Sequence, residues 1–437
     1  MRFKASDVAA ATGGRLVGDD VELHGASFDT RTIHPGQLFV PLVADRDGHD
    51  FVGAAIAGGA AAYLTSTGVV PGGGDVPAIE VTDTATALMD LASWASRRLG
   101  AAIVGVTGSV GKTSTKDLAA AAIRAGRRVV ANERSFNNEQ GLPVTVLGAA
   151  DDTEVLVLEM GMRGFGEITR LCEVAPPTIG VVTAVAPAHT ERVGGIDGVA
   201  RAKAELVEAL PDHGVAVLNA DDDRVRAMAS MTKAPVVLFG ESPDADVRAK
   251  DVVLDDLARP SFTAVTPWGT VHVTLATSGR HMVGNALAAL AVAGSVGVDL
   301  TSAAAALGRA TLSASRMAVH RLASGAVVID DAYNANPASM RAALDALAAV
   351  PGERRIAVLG VMAEIDDAPS AHREAADYAH RLGLDVVAVG TDLYGIAPTD
   401  DPLAVIGRPE AGTVILVKAS RVAQLDTVAS ALVNGPD

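Results

Sequence analysis

The sequence predicts an α/β protein of three domains, the central one built on a doubly wound, mainly parallel sheet. The chain has 437 residues, which suits about three domains at roughly 150 residues each. Short, β-branched apolar runs alternate with helical segments through its middle and last parts, as they do in parallel sheets. A glycine-rich segment follows one of these runs at a predicted strand-to-helix turn.

The first domain, placed at residues 1–98, is predicted to be a small α/β unit without a phosphate-loop signal. Short β-like runs such as 39–43 (FVPLV) alternate with glycine-rich and alanine-rich pieces. A helical stretch at 85–99 then leads into the run 102–106 (AIVGV), which is short, β-branched and followed by Thr-Gly. These features indicate a buried strand, and that strand opens the second domain.

The second domain, placed at 99–313, and the third, placed at 314–437, are both predicted to alternate strands with helices. In the second, further buried runs occur at 155–158, 178–182 and 215–218, whereas 246–276 alternates apolar with polar residues and predicts a small antiparallel patch. The third is a smaller, Rossmann-like α/β domain, with predicted strands at 326–330, 355–360 and 386–389 and helices from Pro337 and at 372–382.

The composition excludes several classes of protein. Lys and Arg number 36 against 52 Asp and Glu, so the net charge is -16, which argues against a surface that neutralises nucleic-acid phosphates. Cys172 is the single cysteine and cannot form an internal disulfide, so we expect a reducing compartment. The first residues lack the apolar core of a signal peptide, and the most apolar stretch, 286–298, is shorter than the roughly 20 residues of a membrane span. We therefore expect a cytoplasmic protein.

The sharpest local signal is the segment 105–113, GVTGSVGKT. Its ending matches a phosphate loop, although valine stands at position 106 where the strict spacing has glycine. In such a loop the backbone N–H groups and the start of a helix hold phosphates, a lysine neutralises them, and a threonine hydroxyl binds Mg²⁺. An ordinary glycine turn is the alternative. The predicted nucleotide-binding residues are Gly108, Ser109, Gly111, Lys112, Thr113 and Ser114.

Two further residues are candidate metal ligands because each follows a predicted strand of the same sheet. Glu159 ends the run 155–159, and its carboxylate is a hard oxygen ligand of the kind that Mg²⁺ prefers. His189 lies in a loop after the run 178–182, at the carboxyl end of a strand, where doubly wound sheets bind ligands. A solvated carboxylate and a structural histidine are the alternatives. These residues alone are compatible with three functions: a motor driven by nucleotide hydrolysis, a kinase and a ligase.

Several segments together resemble the Mur ligase family, the ATP-dependent amide-bond-forming enzymes of cell-wall precursor synthesis. Besides the phosphate loop, they are 27–31 (SFDTR), 35–40 (PGQLFV), 47–51 (DGHDF), 135–143 (SFNNEQGLP), 159–161 (EMG), 189–191 (HTE), 200–205 (ARAKAE), 279–287 (GRHMVGNAL) and 330–340 (DDAYNANPASM). The last is the most discriminating, because it is similar to the signature of the member that adds D-alanyl-D-alanine to UDP-N-acetylmuramoyl-tripeptide. The segment 360–366 departs from that member's pattern at Val361 and Asp366.

The resemblance implies a uridine-nucleotide-binding first domain, ATP and two magnesium ions as cofactors, and roles for named residues. Lys112, His189, Lys203 and Arg316 would be catalytic, with Lys203 carbamylated so that it becomes an anionic ligand. Thr113, Glu159, His189 and Lys203 would hold the metal. ATP would also contact Asn137, Asn138, Asn285, Arg316 and Asp331. The substrates would contact Ser27, Asp29, Arg31, Asp47, His49, Tyr333, Asn334 and Asn336.

The expected partners are the UDP-muramoyl tripeptide and D-alanyl-D-alanine, with no nucleic acid and no membrane, and we expect a monomer. Taken alone, Lys203 would be a surface helix lysine, and Tyr333, Asn334 and Asn336 would be turn and cap residues before Pro337. Two alternatives remain open: a sister ligase that adds a single amino acid, and a nucleotide-binding regulatory protein that has lost ligation.

Overall fold

A computed structural model describes residues 1–70, 74–133, 136–187 and 190–435. The fold is α/β, as the sequence predicts. The chain divides into two compact units, one made of Met1–Gly105, Arg127–Met162 and Gly166–Ile179, the other of Val106–Gly126, Arg163–Phe165 and Gly180–Asp437. Among the described residues, no helix is both long and apolar enough to span a bilayer.

The N-terminal part of the first unit contains a five-stranded mixed sheet and a separate two-stranded sheet. Its strands are β1 (Arg2–Lys4), β2 (Arg15–Val17), β3 (Glu22–His24), β4 (Ala26–Ser27), β5 (Leu38–Phe39), β6 (Ala62–Thr65) and β7 (Ala78–Glu80), and its helices are α1 (Ala5–Thr12), α2 (Val52–Ala57) and α3 (Thr84–Leu99). The sheet order is β2-β7-β6-β5-β4, and β1 pairs with β3. Phe39 and Tyr63 anchor its core. The Asp83 side chain accepts from Thr86 N at 2.7 Å and so caps α3.

A nine-stranded sheet follows in the chain. Its strands are β8 (Ala102–Thr107), β9 (Val129–Ala131), β10 (Val155–Glu159), β11 (Ile179–Val182), β12 (Val215–Asn219), β13 (Val236–Gly240), β14 (Val247–Leu254), β15 (Pro260–Thr266) and β16 (Gly269–Thr274). The order is β16-β15-β14-β13-β12-β11-β8-β10-β9. The pairs β9–β10, β12–β13 and β13–β14 are parallel, whereas β14, β15 and β16 pair antiparallel. Both the parallel sheet and the antiparallel patch confirm the prediction.

Helices connect the parallel strands of this sheet, and two more follow its last strand. They are α4 (Lys112–Arg124), α5 (Gly141–Gly148), α6 (Glu167–Val174), α7 (Thr190–Val193), α8 (Ile196–Glu208), α9 (Asp223–Ala227), α10 (Met282–Ser295) and α11 (Leu300–Leu307). Helix α4 begins at Lys112, the lysine of the phosphate loop. The polar run KTST looks like a loop in the sequence, but the left-handed backbone of Gly111 starts the helix directly before it.

The C-terminal part of the second unit is a separate five-stranded sheet. Its strands are β17 (Ala318–Arg321), β18 (Val327–Asp331), β19 (Arg354–Leu359), β20 (Asp385–Ala388) and β21 (Thr413–Lys418), and its helices are α12 (Pro337–Ala349), α13 (Ala368–Arg381), α14 (Pro402–Ile406) and α15 (Asp426–Asn434). The order is β17-β18-β21-β19-β20, with β18 and β19 parallel to β21. In this register Asp331 lies beside Lys418 at the carboxyl ends of their strands, where open α/β sheets bind ligands.

Candidate active site

The phosphate loop has the predicted strand, turn and helix, and its glycines are required by close approaches. Gly108 has φ 150°, and a Cβ there would collide with the Thr183 hydroxyl. Gly111 has φ 82°, and a Cβ there would lie 2.7 Å from the Asn285 Oδ1 atom. Val106, where the strict motif has glycine, is fully buried within β8. The departure from the motif therefore falls in the strand and leaves the turn intact.

Polar side chains fix the loop to neighbouring segments. The Ser109 hydroxyl donates to the Ala186 carbonyl at 2.8 Å and accepts from Ala186 N at 2.9 Å. Lys112 Nζ donates to the Gly108 carbonyl at 2.7 Å, so the ammonium lies across the loop that would hold phosphates. Asn285 Oδ1 accepts from the Thr115 hydroxyl at 3.2 Å. The predicted residues Thr113, Ser114 and Asn285 are all buried.

Arg316 reaches the same loop from a distant part of the chain. Its Nη2 donates to the Thr113 hydroxyl at 3.2 Å, and its guanidinium lies over the Tyr333 ring, 4.1 Å from the centroid. Arg316 Nε is buried and has no hydrogen-bond partner among the residues that the structure describes. A buried donor without an acceptor is costly, so this nitrogen is available to an anion. The structure thus brings three predicted residues together: Thr113, Arg316 and Tyr333.

Asp331 is held by a lysine that the sequence reasoning missed. Lys418 Nζ donates to Asp331 Oδ2 at 2.5 Å and to the Asn334 carbonyl at 2.9 Å, and the lysine side chain is 1% exposed. The other carboxylate oxygen of Asp331 accepts from Met317 N at 3.2 Å. The only signal in the sequence was a lysine at the end of an apolar strand. Such a lysine is usually a solvated charge.

The side chains of Asn334 and Asn336 make local contacts at the start of α12. Asn336 caps the helix, because its Oδ1 accepts from Ser339 N at 2.9 Å and Pro337 occupies the first helical position. Asn334 Oδ1 accepts from Ala335 N. These contacts agree with the turn-and-cap alternative, and the predicted substrate contacts of both residues stay predictions.

In the first unit, Glu159 is the centre of an amide network. Its carboxylate accepts from Asn137 Nδ2 at 2.7 Å, and its backbone N donates to Asn132 Oδ1 at 2.9 Å. Glu159 is 1% exposed. Asn138 instead accepts from Gly141 N at 2.9 Å and so holds the start of α5. Asn132 was not predicted, since a lone asparagine after a strand carries no distinctive signal.

Lys203 is buried on α8, with 3% of its surface exposed. Burial, and secondarily the charge of Lys112, lower its pKa well below the usual value for lysine. Within the described ranges, no carboxylate forms an ion pair with its amine. The surface-lysine alternative is therefore wrong, because the chain buries this amine and favours its neutral form.

The structure describes three of the four predicted metal ligands, Thr113, Glu159 and Lys203. His189 lies outside the described residues. Among those that are described, no group of three or more His, Cys, Asp and Glu side chains could hold a metal ion. The oxygens that fit Mg²⁺ by their chemistry are the hydroxyl of Thr113 and the carboxylate of Glu159.

The predicted substrate residues of the first domain pair with close neighbours in the sequence. Asp29 accepts from Arg31 at 2.9 and 2.6 Å, and these hydrogen bonds lower the pKa of Asp29. Ser27 Oγ accepts from Asp29 N. Asp47 accepts from the backbone N of His49 at 2.9 Å. His49 is 5% exposed, with Nδ1 2.6 Å from Asp47 and Nε2 accepting from Ser66 N.

The segment 360–366, which departs from the resemblance, is held at several points. Met362 N donates to His372 Nε2 at 2.8 Å, and the Tyr394 hydroxyl donates to the Gly360 carbonyl at 2.7 Å. Burial lowers the pKa of His372, which favours the neutral ring that this contact requires. The Thr190 hydroxyl donates to Asp366. The aspartate in this unusual position therefore accepts a hydrogen bond from the first residue of α7.

Comparison with known proteins identifies the family. Residues 106–293 match the Mur ligase middle domain, and residues 315–432 match the Mur ligase, glutamate ligase domain. The UDP-N-acetylmuramoyl-tripeptide--D-alanyl-D-alanine ligase of Mycobacterium tuberculosis is 42% identical over 93% of this chain and 91% of that protein. The ligase of the same name from Escherichia coli is 35% identical over 98% and 97%.

Solved structures agree with the sequence relatives. MurF from Acinetobacter baumannii superposes with a TM-score of 0.88 at 26% identity, covering 99% of both chains. MurF ligase from Thermotoga maritima in complex with ADP superposes with a TM-score of 0.82 at 26% identity, covering 94% of this chain and 97% of that one. The chain belongs to the Mur ligase family.

Proposed function

We propose that this chain joins D-alanyl-D-alanine to UDP-N-acetylmuramoyl-tripeptide by forming an amide bond at the expense of ATP. The observation that carries the proposal is the meeting of Arg316 with Thr113, since it sets a second cation beside the phosphate loop. The substrates follow from the relatives, one of which carries this enzyme's name and is 42% identical over 93% of the chain.

The chemistry explains why a phosphate loop is needed. A carboxylate resists attack by an amine because oxide is a poor leaving group. The tripeptide carboxylate would therefore attack the γ-phosphorus of ATP, releasing ADP and forming an acyl phosphate. The dipeptide amine would then add to the acyl carbon, and phosphate would leave with the electron pair of the broken C–O bond while the amine loses a proton.

The chain's own cations would serve the first step. Lys112 would leave its carbonyl partners for the phosphates, and Arg316 Nε, which has no partner in the described part of the chain, would donate to the transferring group. Fixed donors aimed at developing charge stabilise such transition states, because they need no reorganisation during the reaction. Tyr333 would keep the guanidinium in place through its ring face.

Two magnesium ions would be bound, one by Thr113 and Glu159 and the other by His189 and a carbamylated Lys203. Their charge would neutralise phosphate oxygens. An ammonium at Lys203 would repel the metal, whereas a buried neutral amine can add CO₂ and become an anion with two oxygen ligands. The lowered pKa of Lys203 supports this step, because only the neutral amine is a nucleophile.

Carbamylation can be tested directly with ¹³C-labelled bicarbonate. We expect a carbamate carbon resonance in the wild-type protein that is absent from Lys203→Met and retained in Lys233→Met, which changes an exposed lysine. The same resonance in both variants would assign the carbamate to another amine. No resonance in the wild type under saturating bicarbonate and Mg²⁺ would contradict this part of the proposal.

The remaining assignments extend the proposal to the ends of the substrates. Asn285 and Asp331 would face the adenosine of ATP, and Asn137 and Asn138 a phosphate or the reacting carboxylate. The uridine end would contact Ser27, Asp29, Arg31, Asp47 and His49, and the acceptor end Tyr333, Asn334 and Asn336. We also propose domains at 1–98, 99–313 and 314–437, a monomer, and a cytoplasmic location.

The deciding experiment measures phosphate release from ATP and Mg²⁺ with the UDP-muramoyl tripeptide present and D-alanyl-D-alanine either added or withheld. We expect release and a new amide product only when the dipeptide is added. Parallel reactions replace the dipeptide with single amino acids, or the tripeptide with shorter UDP-muramoyl peptides. If turnover occurs only with a single amino acid, the protein is instead a sister ligase that adds that amino acid.

A nucleotide-binding regulator that has lost ligation is the alternative from another class. It predicts ADP or ATP binding without turnover on any acceptor. The variant Arg316→Ala further distinguishes the ligase from the regulator. A ligase with this substitution should lose turnover while it keeps nucleotide binding. Arg309→Ala is the matched control, since Arg309 is an exposed arginine of the same connecting segment.

A further inference from the structure

The backbone on either side of Arg316 is strained. Ser315 has φ 55° and Met317 has φ 52°, so two residues with side chains adopt the left-handed conformation that favours glycine. Such conformations persist only where the surrounding structure holds them. Arg316 therefore owes its position to the contacts that fix this segment.

One set of contacts lies on the C-terminal side, at the end of β18. The Ser315 hydroxyl donates to Asp330 Oδ2 at 2.9 Å, and Met317 N donates to Asp331 Oδ1 at 3.2 Å. Tyr333 N donates to the Ser315 carbonyl at 3.3 Å. These bonds tie the strained residues to the C-terminal sheet, but they do not tie them to the phosphate loop.

The tie to the phosphate loop comes from α4. Asp117 Oδ2 accepts from the backbone N of Ser313 at 2.8 Å, across a separation of 196 residues along the chain. Its other oxygen lies 2.8 Å from Lys116 Nζ. Lys116 is 2% exposed and Asp117 is 13% exposed. A buried, charge-assisted contact of this kind holds the carboxylate in one orientation.

We infer that Asp117 is a positioning residue, which fixes Ser313 on the phosphate-loop helix and thereby places Arg316 against Thr113. Lys116 sets the orientation of Asp117. The inference rests on the proposed function of Arg316 as a donor to the transferring phosphate. Neither Lys116 nor Asp117 belongs to the phosphate-loop motif itself, because both lie beyond Gly111-Lys112-Thr113 on the same helix.

The test removes the Ser313 contact without leaving a buried charge. Lys116→Met/Asp117→Asn and Lys116→Met/Asp117→Leu both lack the ion pair, and Asn and Leu have nearly the same shape. Only the Asn variant keeps an oxygen that can accept from Ser313 N. Replacing both members of a buried pair is tolerated far better than removing one, and thermal unfolding of the two variants should confirm that both fold.

We expect kcat to fall about 10- to 100-fold in the Leu variant relative to the Asn variant, since small displacements of a catalytic group have effects of this size. The KM for the UDP-muramoyl tripeptide should stay the same. In an Arg316→Lys background, the difference between Leu and Asn should largely disappear, because Asp117 acts through Arg316. Equal kcat in the two variants would overturn the inference, and so would an undiminished difference in the Arg316→Lys background.

Hydrogen exchange separates this inference from the proposed function. The amides of residues 309–317 should exchange faster in the Leu variant than in the Asn variant, whatever reaction the protein catalyses. If the wild-type protein shows no dipeptide-dependent turnover, the proposed function is wrong. Hydrogen exchange would then still decide whether Asp117 anchors residues 309–317. Identical exchange in the two variants would refute the anchoring role.

Discussion

The candidate residues of the first domain and those around Arg316 differ in the distance, along the chain, to their partners. Asp29 pairs with Arg31 and Asp47 with His49, each two residues away. Arg316 reaches Thr113 across 203 residues, and Lys418 reaches Asp331 across 87. The local pairs can form in any state of the chain, whereas the long-range pairs exist only once it has folded.

Burial sharpens this difference. The side chain of Arg31 is 86% exposed, but that of Lys418 is 1% exposed. An exposed pair contributes little because water screens it. A buried charge that loses its partner is strongly destabilising. Arg31 is therefore free to contact a ligand, while Lys418 also holds the fold, and substitutions should separate the two roles.

The largest effect should come from Lys418→Met. It leaves the Asp331 carboxylate buried without its cation, so we expect the free energy of unfolding to fall by about 3 to 5 kcal/mol. Urea denaturation measures this loss. The double variant Lys418→Met/Asp331→Asn should recover much of it, because no charge is then left unpaired. If the single and double variants unfold alike, the pair does not stabilise the fold as described.

Next should come Arg316→Ala, which acts on the reaction. Removing a preorganised donor typically costs about 100- to 1,000-fold in kcat, and we expect a loss of that size with little change in the KM for the tripeptide. Steady-state phosphate release checks it, with Arg309→Ala as the control. A raised KM with kcat intact would mean that Arg316 binds the ground state and has no special role in phosphoryl transfer.

The fold and the phosphate loop could be predicted because they depend on local patterns. Buried strands are short apolar runs, and the turn at 108–111 needs glycines that the sequence shows directly. Lys418 and Asp117 could not be predicted in the same way. Their partners are set by strand register in one case and by the return of the chain to α4 in the other. No local pattern records either arrangement.

Lys203 lies between these two cases. The resemblance to the family pointed to it, and the structure shows that its amine is buried, which lowers its pKa. Its folded-state pKa lies below the usual value of 10.5, so the unfolded chain binds more protons between the two pKa values. The free energy of unfolding should therefore rise with pH through that window, by at most about 1.4 kcal/mol per pH unit. Stability lost at lower pH should return as the amine becomes neutral.

Urea denaturation of Lys203→Met across this pH range, in buffer without bicarbonate, checks the effect. The methionine variant should be more stable than the wild type at low pH, and its advantage should shrink as the pH rises. Lys233→Met, at an exposed lysine, should follow the wild type throughout. Parallel pH profiles for the wild type and Lys203→Met would mean that the folded protein does not favour the neutral amine at this position.

The smallest effect on the fold should come from Arg31→Ala. Because its partner Asp29 is local and the guanidinium is exposed, the urea midpoint should not change measurably. If Arg31 contacts the uridine nucleotide, the KM for the tripeptide should rise while kcat stays the same. Arg46→Ala, at another exposed arginine of this region, should change neither. A shifted urea midpoint would place Arg31 with the residues that hold the fold. Unchanged kinetics would mean that Arg31 does not contact the substrate. Either result would contradict the division of roles between the exposed Arg31 and the buried Lys418.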